Sequence, residues 1–115
     1  MTTRQALVVR GGWEGHRPVE ATDLFIPFLE SSGFSVRVED SPEIYADEAT
    51  MRATDLVLQC FTMSEISQDA LAGLRAAVRG GLGLAGWHGG IADSYRNSSD
   101  YLQLIGGQFA THPSK

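Results

Sequence analysis

Two short stretches of the chain, Ala6-Leu7-Val8-Val9 and Asp55-Leu56-Val57-Leu58-Gln59-Cys60, leave almost no room for a wet side. A continuous apolar run rich in β-branched residues, bounded in the first case by Gly11-Gly12, is what a strand looks like when both faces of its sheet are covered. Each run is therefore expected to be a central strand, covered on both sides. Phe34-Ser35-Val36-Arg37-Val38-Glu39 differs. It alternates strictly, with one dry and one wet face, as a strand at the edge of a sheet does. A fourth strand is expected from Leu82 to Trp87, ending in Gly86-Trp87-His88-Gly89-Gly90.

Helical spacing fills the intervals. Over residues 19–32, Ala21, Leu24, Phe25, Phe28 and Leu29 recur every three or four positions, which predicts one helix with a buried stripe, kinked at Pro27 and stopped at Gly33. Residues 41–52 are acidic and irregular, with room for a short helical turn. Ser67 reads as an N-cap with Asp69 in the first turn and Ile66 and Leu71 as a hydrophobic staple. That helix runs to about Arg79 on a stripe of Leu71, Leu74, Ala77 and Val78 and stops at Gly80-Gly81. The last helix starts at Ser98 or Ser99, carries Tyr101, Leu102 and Ile105, and ends at Gly106-Gly107. Strands alternating with helices in this order define an α/β fold: a doubly wound parallel sheet with helices on both faces and right-handed crossovers. Ligands of such sheets bind beyond the carboxyl ends of the strands, where the strand order reverses.

Composition narrows the partners. At 115 residues the chain is expected to form a single domain, 1–115. A net charge of −5, from 9 Lys+Arg against 14 Asp+Glu, offers no basic surplus for a phosphate backbone, so no nucleic acid is expected. No apolar run is long enough to span a membrane, and the N-terminus, Met1-Thr2-Thr3-Arg4-Gln5, leads into a run too short for a signal-peptide core. One cysteine, Cys60, cannot form an internal disulfide and reads as an inert core thiol in a reducing, cytoplasmic setting. Glycine, at 13 of 115, exceeds the usual ~7% and clusters beside His and Trp. Those clusters are where chemistry is expected.

Gly86-Trp87-His88-Gly89-Gly90 has the small-x-residue-x-small pattern of a nucleophile elbow at a strand-to-helix turn, with histidine at its tip. Glycines permit the tight turn, the amides of Gly89 and Gly90 can face a developing negative charge, and an imidazole can act as general acid or base. The plain alternative is a glycine-rich turn with an exposed histidine. Gly11-Gly12-Trp13-Glu14-Gly15-His16-Arg17-Pro18, after the first strand, lacks the G-x-G-x-x-G spacing and the Walker lysine. Trp13 instead offers a plate for a sugar ring, and Glu14, His16 and Arg17 offer polar groups at the same rim; equally, the segment is a loop whose Trp13 covers the core edge. His112, near a strand start, is placed to project toward His88, and Tyr95, Arg96 and Asn97 are candidate rim donors or simply solvated. The three histidines, with Glu14, Asp93 or Glu65, show no paired ligand spacing, so neither a metal nor a cofactor is expected.

Three blocks, Val8-Val9-Arg10-Gly11-Gly12-Trp13-x-Gly15-His16, Gly80-Gly81-x-Gly83-Leu84-x-Gly86-Trp87-His88-Gly89-Gly90 and Tyr101-x-x-Leu104-Ile105-Gly106-Gly107-x-Phe109-x-x-His112-Pro113, together resemble the ThuA-like family of trehalose-utilisation proteins. The resemblance implies a flavodoxin-like sheet of the class I glutamine amidotransferase-like superfamily, with histidine where amidotransferases carry the elbow cysteine. It raises His16, His88 and His112 as site residues and implies no glutaminase activity. Family members run to about twice this length, the size of a complete doubly wound domain, so the chain matches the N-terminal half and the domain is expected to be incomplete at the C-terminus, or completed at its edge by a homodimer.

Together these readings give an expected function: a sugar-processing protein acting on a disaccharide or its 3-keto derivative. His88 is the expected general acid or base, with His16 and Glu14 orienting it or sharing the proton. Trp13 and Trp87 would flank the pyranose, with Gly89, Gly90, Tyr95 and His112 completing the substrate site. The alternatives are a noncatalytic sugar-binding or scaffolding module and a metal-dependent hydrolase.

Overall fold

In the computed structural model, four strands form one fully parallel sheet in the order β2-β1-β3-β4, where β1 is Arg4–Gly12, β2 Phe34–Glu39, β3 Leu56–Thr62 and β4 Gly83–Gly86. The structure describes residues 3–114; Met1, Thr2 and Lys115, on which the N-terminal reading and the expected domain boundary touch, lie outside the described residues. Both continuous apolar runs occupy the interior of the sheet, with Val8 of β1 paired to Val38 of β2 on one side and Leu58 of β3 on the other. The alternating strand β2 is at an edge. The chain steps from β1 outward to β2, then crosses back over β1 to lay down β3. The strand order therefore reverses between β1 and β3, which puts the expected ligand position beyond their carboxyl ends.

Among the described residues, six α-helices connect and flank the strands: α1 Pro18–Asp23, α2 Ile26–Ser31, α3 Glu48–Ala53, α4 Gln68–Arg79, α5 Gly89–Ala92 and α6 Ser99–Ile105. The single helix expected over residues 19–32 is two helices. Pro27 has no amide hydrogen to continue the ladder, so the chain breaks at Leu24 and Phe25 and restarts with Pro27 in the first turn of α2. The break also resets the phase of the stripe. Leu29 is buried, whereas Leu24 and Phe28, expected beside it, are 78% and 64% exposed. The other caps follow the sequence reading: Ser67 accepts from Ala70 N at 3.1 Å, Ser98 accepts from Tyr101 N at 3.1 Å, and Gly106 closes α6 in the left-handed region at φ 82. Among the described residues, no helix is long and apolar enough to cross a membrane.

Each face of the sheet has its own core. Leu7 and Val9 of β1 join Val57 and Phe61 of β3 under Ala70, Leu71 and Leu74 of α4, while Ala6, Val8 and Leu58 pack on the other face against Leu29 of α2. This period-two division of β1 explains its unbroken apolar run. One polar side chain interrupts the first core. The amide of Gln59, fully buried in β3, accepts from the hydroxyls of Tyr45 at 2.7 Å and Tyr95 at 2.9 Å, and donates to Ser94 Oγ at 2.9 Å and Tyr101 Oη at 2.8 Å. Ser94 and Tyr101 in turn donate to the carbonyls of Gly90 (2.9 Å) and Ile91 (2.6 Å), so β3 grips the short helix α5 through this hub.

Replacing Gln59 by Leu strands the hydroxyls of Tyr45 and Tyr95 in an apolar core, at about 1–3 kcal/mol for each orphaned group. Urea denaturation of Gln59→Leu is expected to show a loss of about 2–5 kcal/mol relative to wild type. Burial raises the ionisation of Tyr45, Tyr95 and Tyr101 above its ordinary value of 10.0, so the folded state binds their protons more tightly than the unfolded state does. The resulting stability is complete below pH 10 and is withdrawn above it, at up to about 1.4 kcal/mol per pH unit for each tyrosine. Alkaline titration should therefore show tyrosinate absorbance for these rings appearing together with loss of helical circular dichroism, not before it.

Candidate functional site

The elbow expected at residues 86–90 forms at the junction of β4 and α5. His88 sits at φ 51, ψ −140, a conformation that disfavours any side chain beyond glycine, and its carbonyl accepts from Ala92 N at 2.8 Å to start α5. Three non-glycine residues among those described have positive φ: Arg17, Met63 and His88. All three lie just past the carboxyl ends of strands β1, β3 and β4, so backbone strain is concentrated at one end of the sheet, where the fold places ligands. The glycines after the elbow are required by proximity. A Cβ on Gly89 would lie 2.6 Å from His16 Cε1, and one on Gly90 would lie 3.0 Å from Cys60 Sγ.

That contact brings two distant loops together. His16 ends a one-turn 3-10 helix, Glu14–His16, after β1, and its ring centroid is 5.2 Å from that of His88, the planes crossing at 73°. His16 Nδ1 is 2.7 Å from the Thr62 hydroxyl at the end of β3, which fixes the ring from behind. Trp13, 49% exposed, stands edge-on to His16 at 4.8 Å. The ring of His112 lies 6.1 Å from that of His88 and 5.0 Å from that of Phe109, although residues 107–114 form no strand. Beside His88 a cavity of about 310 Å³ opens between α5 and the end of α6, lined by Gly89, Ile91, Ile105 and Phe109 among others.

Three expected site residues are elsewhere. Glu14, two positions from His16 on a helix of three residues per turn, points away from it; it lines a separate cleft with Arg10, Glu39 and Asp40, and its side chain has no hydrogen bond or ion pair among the described residues. Trp87 precedes the elbow and so faces the opposite side of the sheet, half-buried against Phe25 at 5.0 Å and the core of α2. Tyr95 is no rim donor: its ring is fully buried and its hydroxyl belongs to Gln59. Asp93 is buried and held by Arg96 at 2.5 and 2.8 Å, and no group of three His, Cys, Asp or Glu among the described residues is arranged to hold a metal ion. Cys60 is buried, and burial pushes its thiol above the ordinary value, away from nucleophilic thiolate. Thr62 and Gln59 escaped the sequence reading, since each sits within or at the end of an apolar strand; a polar residue at the carboxyl end of a central strand was the one available signal.

A parallel, doubly wound sheet with a histidine-tipped elbow at its carboxyl end defines a flavodoxin-like α/β protein. The trehalose utilisation family, ThuA, matches residues 5–115, and the chain belongs to that family. It is similar in structure to a ThuA-like protein from Bacteroides uniformis ATCC 8492, with a TM-score of 0.69 at 15% identity over 90% of this chain and 44% of that one. The chain thus spans less than half the length of that relative. No curated protein matches it.

The strain at position 88 can be measured. His88→Ala keeps a Cβ in the strained conformation, whereas His88→Gly releases about 1–3 kcal/mol of strain against roughly 0.5–1 kcal/mol of added unfolded-state entropy. Denaturation should therefore find the glycine variant more stable than the alanine variant by about 1 kcal/mol.

Proposed function

We propose that the chain carries the acid/base centre of a sugar-processing enzyme that acts on a disaccharide or its 3-keto derivative and is not a glutaminase. The observation that carries this reading is the meeting of the three motif histidines at the carboxyl ends of β1 and β4, with His88 on a strained elbow. Membership of the trehalose utilisation family supports the substrate class, and the exposed ring of Trp13 beside His16 supports a sugar face stacked there.

A ketone within the sugar acidifies the C–H bond next to it. His88 removes that proton while the electron pair moves into the carbonyl, giving an enediolate. Returning the proton to the former carbonyl carbon, while the neighbouring hydroxyl passes its own proton to the enolate oxygen, completes an isomerisation; re-forming the carbonyl and expelling the glycosidic oxygen, which takes the proton held by His88, completes an elimination. An imidazole at the elbow suits this proton traffic, whereas a glutaminase needs a thiolate that forms a thioester. The reaction needs no metal or cofactor, and a carbohydrate is the only partner it requires. The free, buried thiol of Cys60 supports a reducing, cytoplasmic setting for it.

Purified protein supplied with 3-keto-trehalose is expected to consume it, and His88→Ala to lose at least about a hundredfold in turnover. Unchanged substrate with wild type, or undiminished turnover in the variant, overturns the reading; saturable calorimetric binding without turnover assigns the fold to a binding module instead.

A further inference from the structure

We infer that Thr62 is a positioning residue that holds neutral His16 in the Nε2–H tautomer, so that His16 meets the ligand as a hydrogen-bond donor and the base is His88. This rests on reading the histidine cluster as an acid/base site.

The argument starts from the hydroxyl. Thr62 is 1% exposed, and its Oγ1 has one polar neighbour among the described residues, His16 Nδ1 at 2.7 Å. A hydroxyl carries one proton, and a buried O–H aimed at no acceptor costs about 1–3 kcal/mol. If His16 carried its proton on Nδ1, the ring would donate to Oγ1 and leave that O–H with nothing to reach. With Nδ1 bare, the Thr62 O–H donates to it and both groups are satisfied. The proton of the neutral ring then sits on Nε2.

Nε2 faces outward. No buried side-chain nitrogen or oxygen among the described residues lacks a partner, and Nε2 of the half-buried His16 has none, so it opens to solvent on a ring whose centroid is 5.2 Å from that of His88. Gly89 fixes the ring from the other side: with space there for hydrogen only, His16 Cε1 rests against the elbow backbone. Thr62 behind and Gly89 in front thus set both the plane and the tautomer of one imidazole. An N–H in this place polarises a carbonyl or steadies an enediolate oxygen while the neighbouring imidazole moves the proton, a neutral-donor role that histidine can fill.

The test is nitrogen NMR of the protein labelled with 15N-histidine, above the titration range of the rings, with the three histidines assigned by single substitution. Nδ1 of His16 is expected to resonate as an unprotonated nitrogen and Nε2 as a protonated one. Thr62→Ser, which keeps the hydroxyl, should preserve the pattern, and Thr62→Val should move both nitrogens to intermediate, exchange-averaged positions. A proton on Nδ1 in wild type overturns the inference, as does a Thr62→Val spectrum identical to wild type. Because no turnover enters the measurement, a failure of the 3-keto-sugar reaction with the tautomer intact sinks the proposed function alone.

Discussion

The amide of Gln59 is the contact on which the rest of the site hangs. Its oxygen takes two tyrosine protons and its nitrogen supplies two, to Ser94 and Tyr101, so every hydrogen-bonding position of the side chain is occupied in a core that excludes water. A buried network of this kind is expensive when incomplete and rigid when complete. Here its rigidity is delivered to one place. Helix α5 has only four residues and cannot hold its own shape; its carbonyls at Gly90 and Ile91 are gripped by the same Ser94 and Tyr101 that Gln59 orients. The elbow thus inherits its position from the middle of the central strand, not from the glycines around it.

That support is what allows His88 to remain in a conformation costing about 1–3 kcal/mol. A strained tip on a loose turn would relax; a strained tip clamped between β4 and a pinned helix stays where the backbone aims it. The second half of the site arrives by topology. Because the chain crosses β1 on its way to β3, the loop carrying Trp13 and His16 and the end of β3 carrying Thr62 lie side by side, and Gly89 of the elbow closes on His16 from the next strand over. Three strand ends, each followed by a positive-φ residue, converge on a space a few ångströms across.

The sheet was legible in the sequence because its signal is periodicity. Two unbroken apolar runs and one alternating strand suffice to order the interior and the edge, and serine caps with glycine stops mark α4 and α6. The split at Pro27 was only half legible: the missing amide was visible, but the rotation it gives the second helix, which turns Leu24 and Phe28 outward, depends on how the two pieces dock. Of the site, the histidines and elbow glycines were legible since they stand in dense motifs. Direction was not. Glu14 and Trp87 neighbour site residues in the chain and point away from them in space, and Tyr95, two residues past buried Asp93, turns inward to a glutamine that looked like one more member of an apolar run. Proximity in sequence carries no information on which side of a turn a side chain leaves.

Among the described residues no carboxylate hydrogen-bonds to any of the three imidazoles, and the partner of the His16 ring is a hydroxyl. An acidic partner at Nδ1 accepts that nitrogen's proton and leaves the far nitrogen bare, which makes the ring a base. With Glu14 in another cleft and Asp93 held by Arg96, the described residues give His16 only a hydroxyl, and a buried hydroxyl with no other acceptor gives its proton away. The far nitrogen is then the protonated one. Two histidines 5.2 Å apart can therefore be unlike in function without any charge between them, one set as a donor by its neighbour and the other, exposed on the elbow, left free to take a proton. On the proposed acid/base reading the two imidazoles differ because the His16 ring has a hydrogen-bond partner, supplied by the last residue of the strand that also carries Gln59, and the His88 ring has none among the described residues.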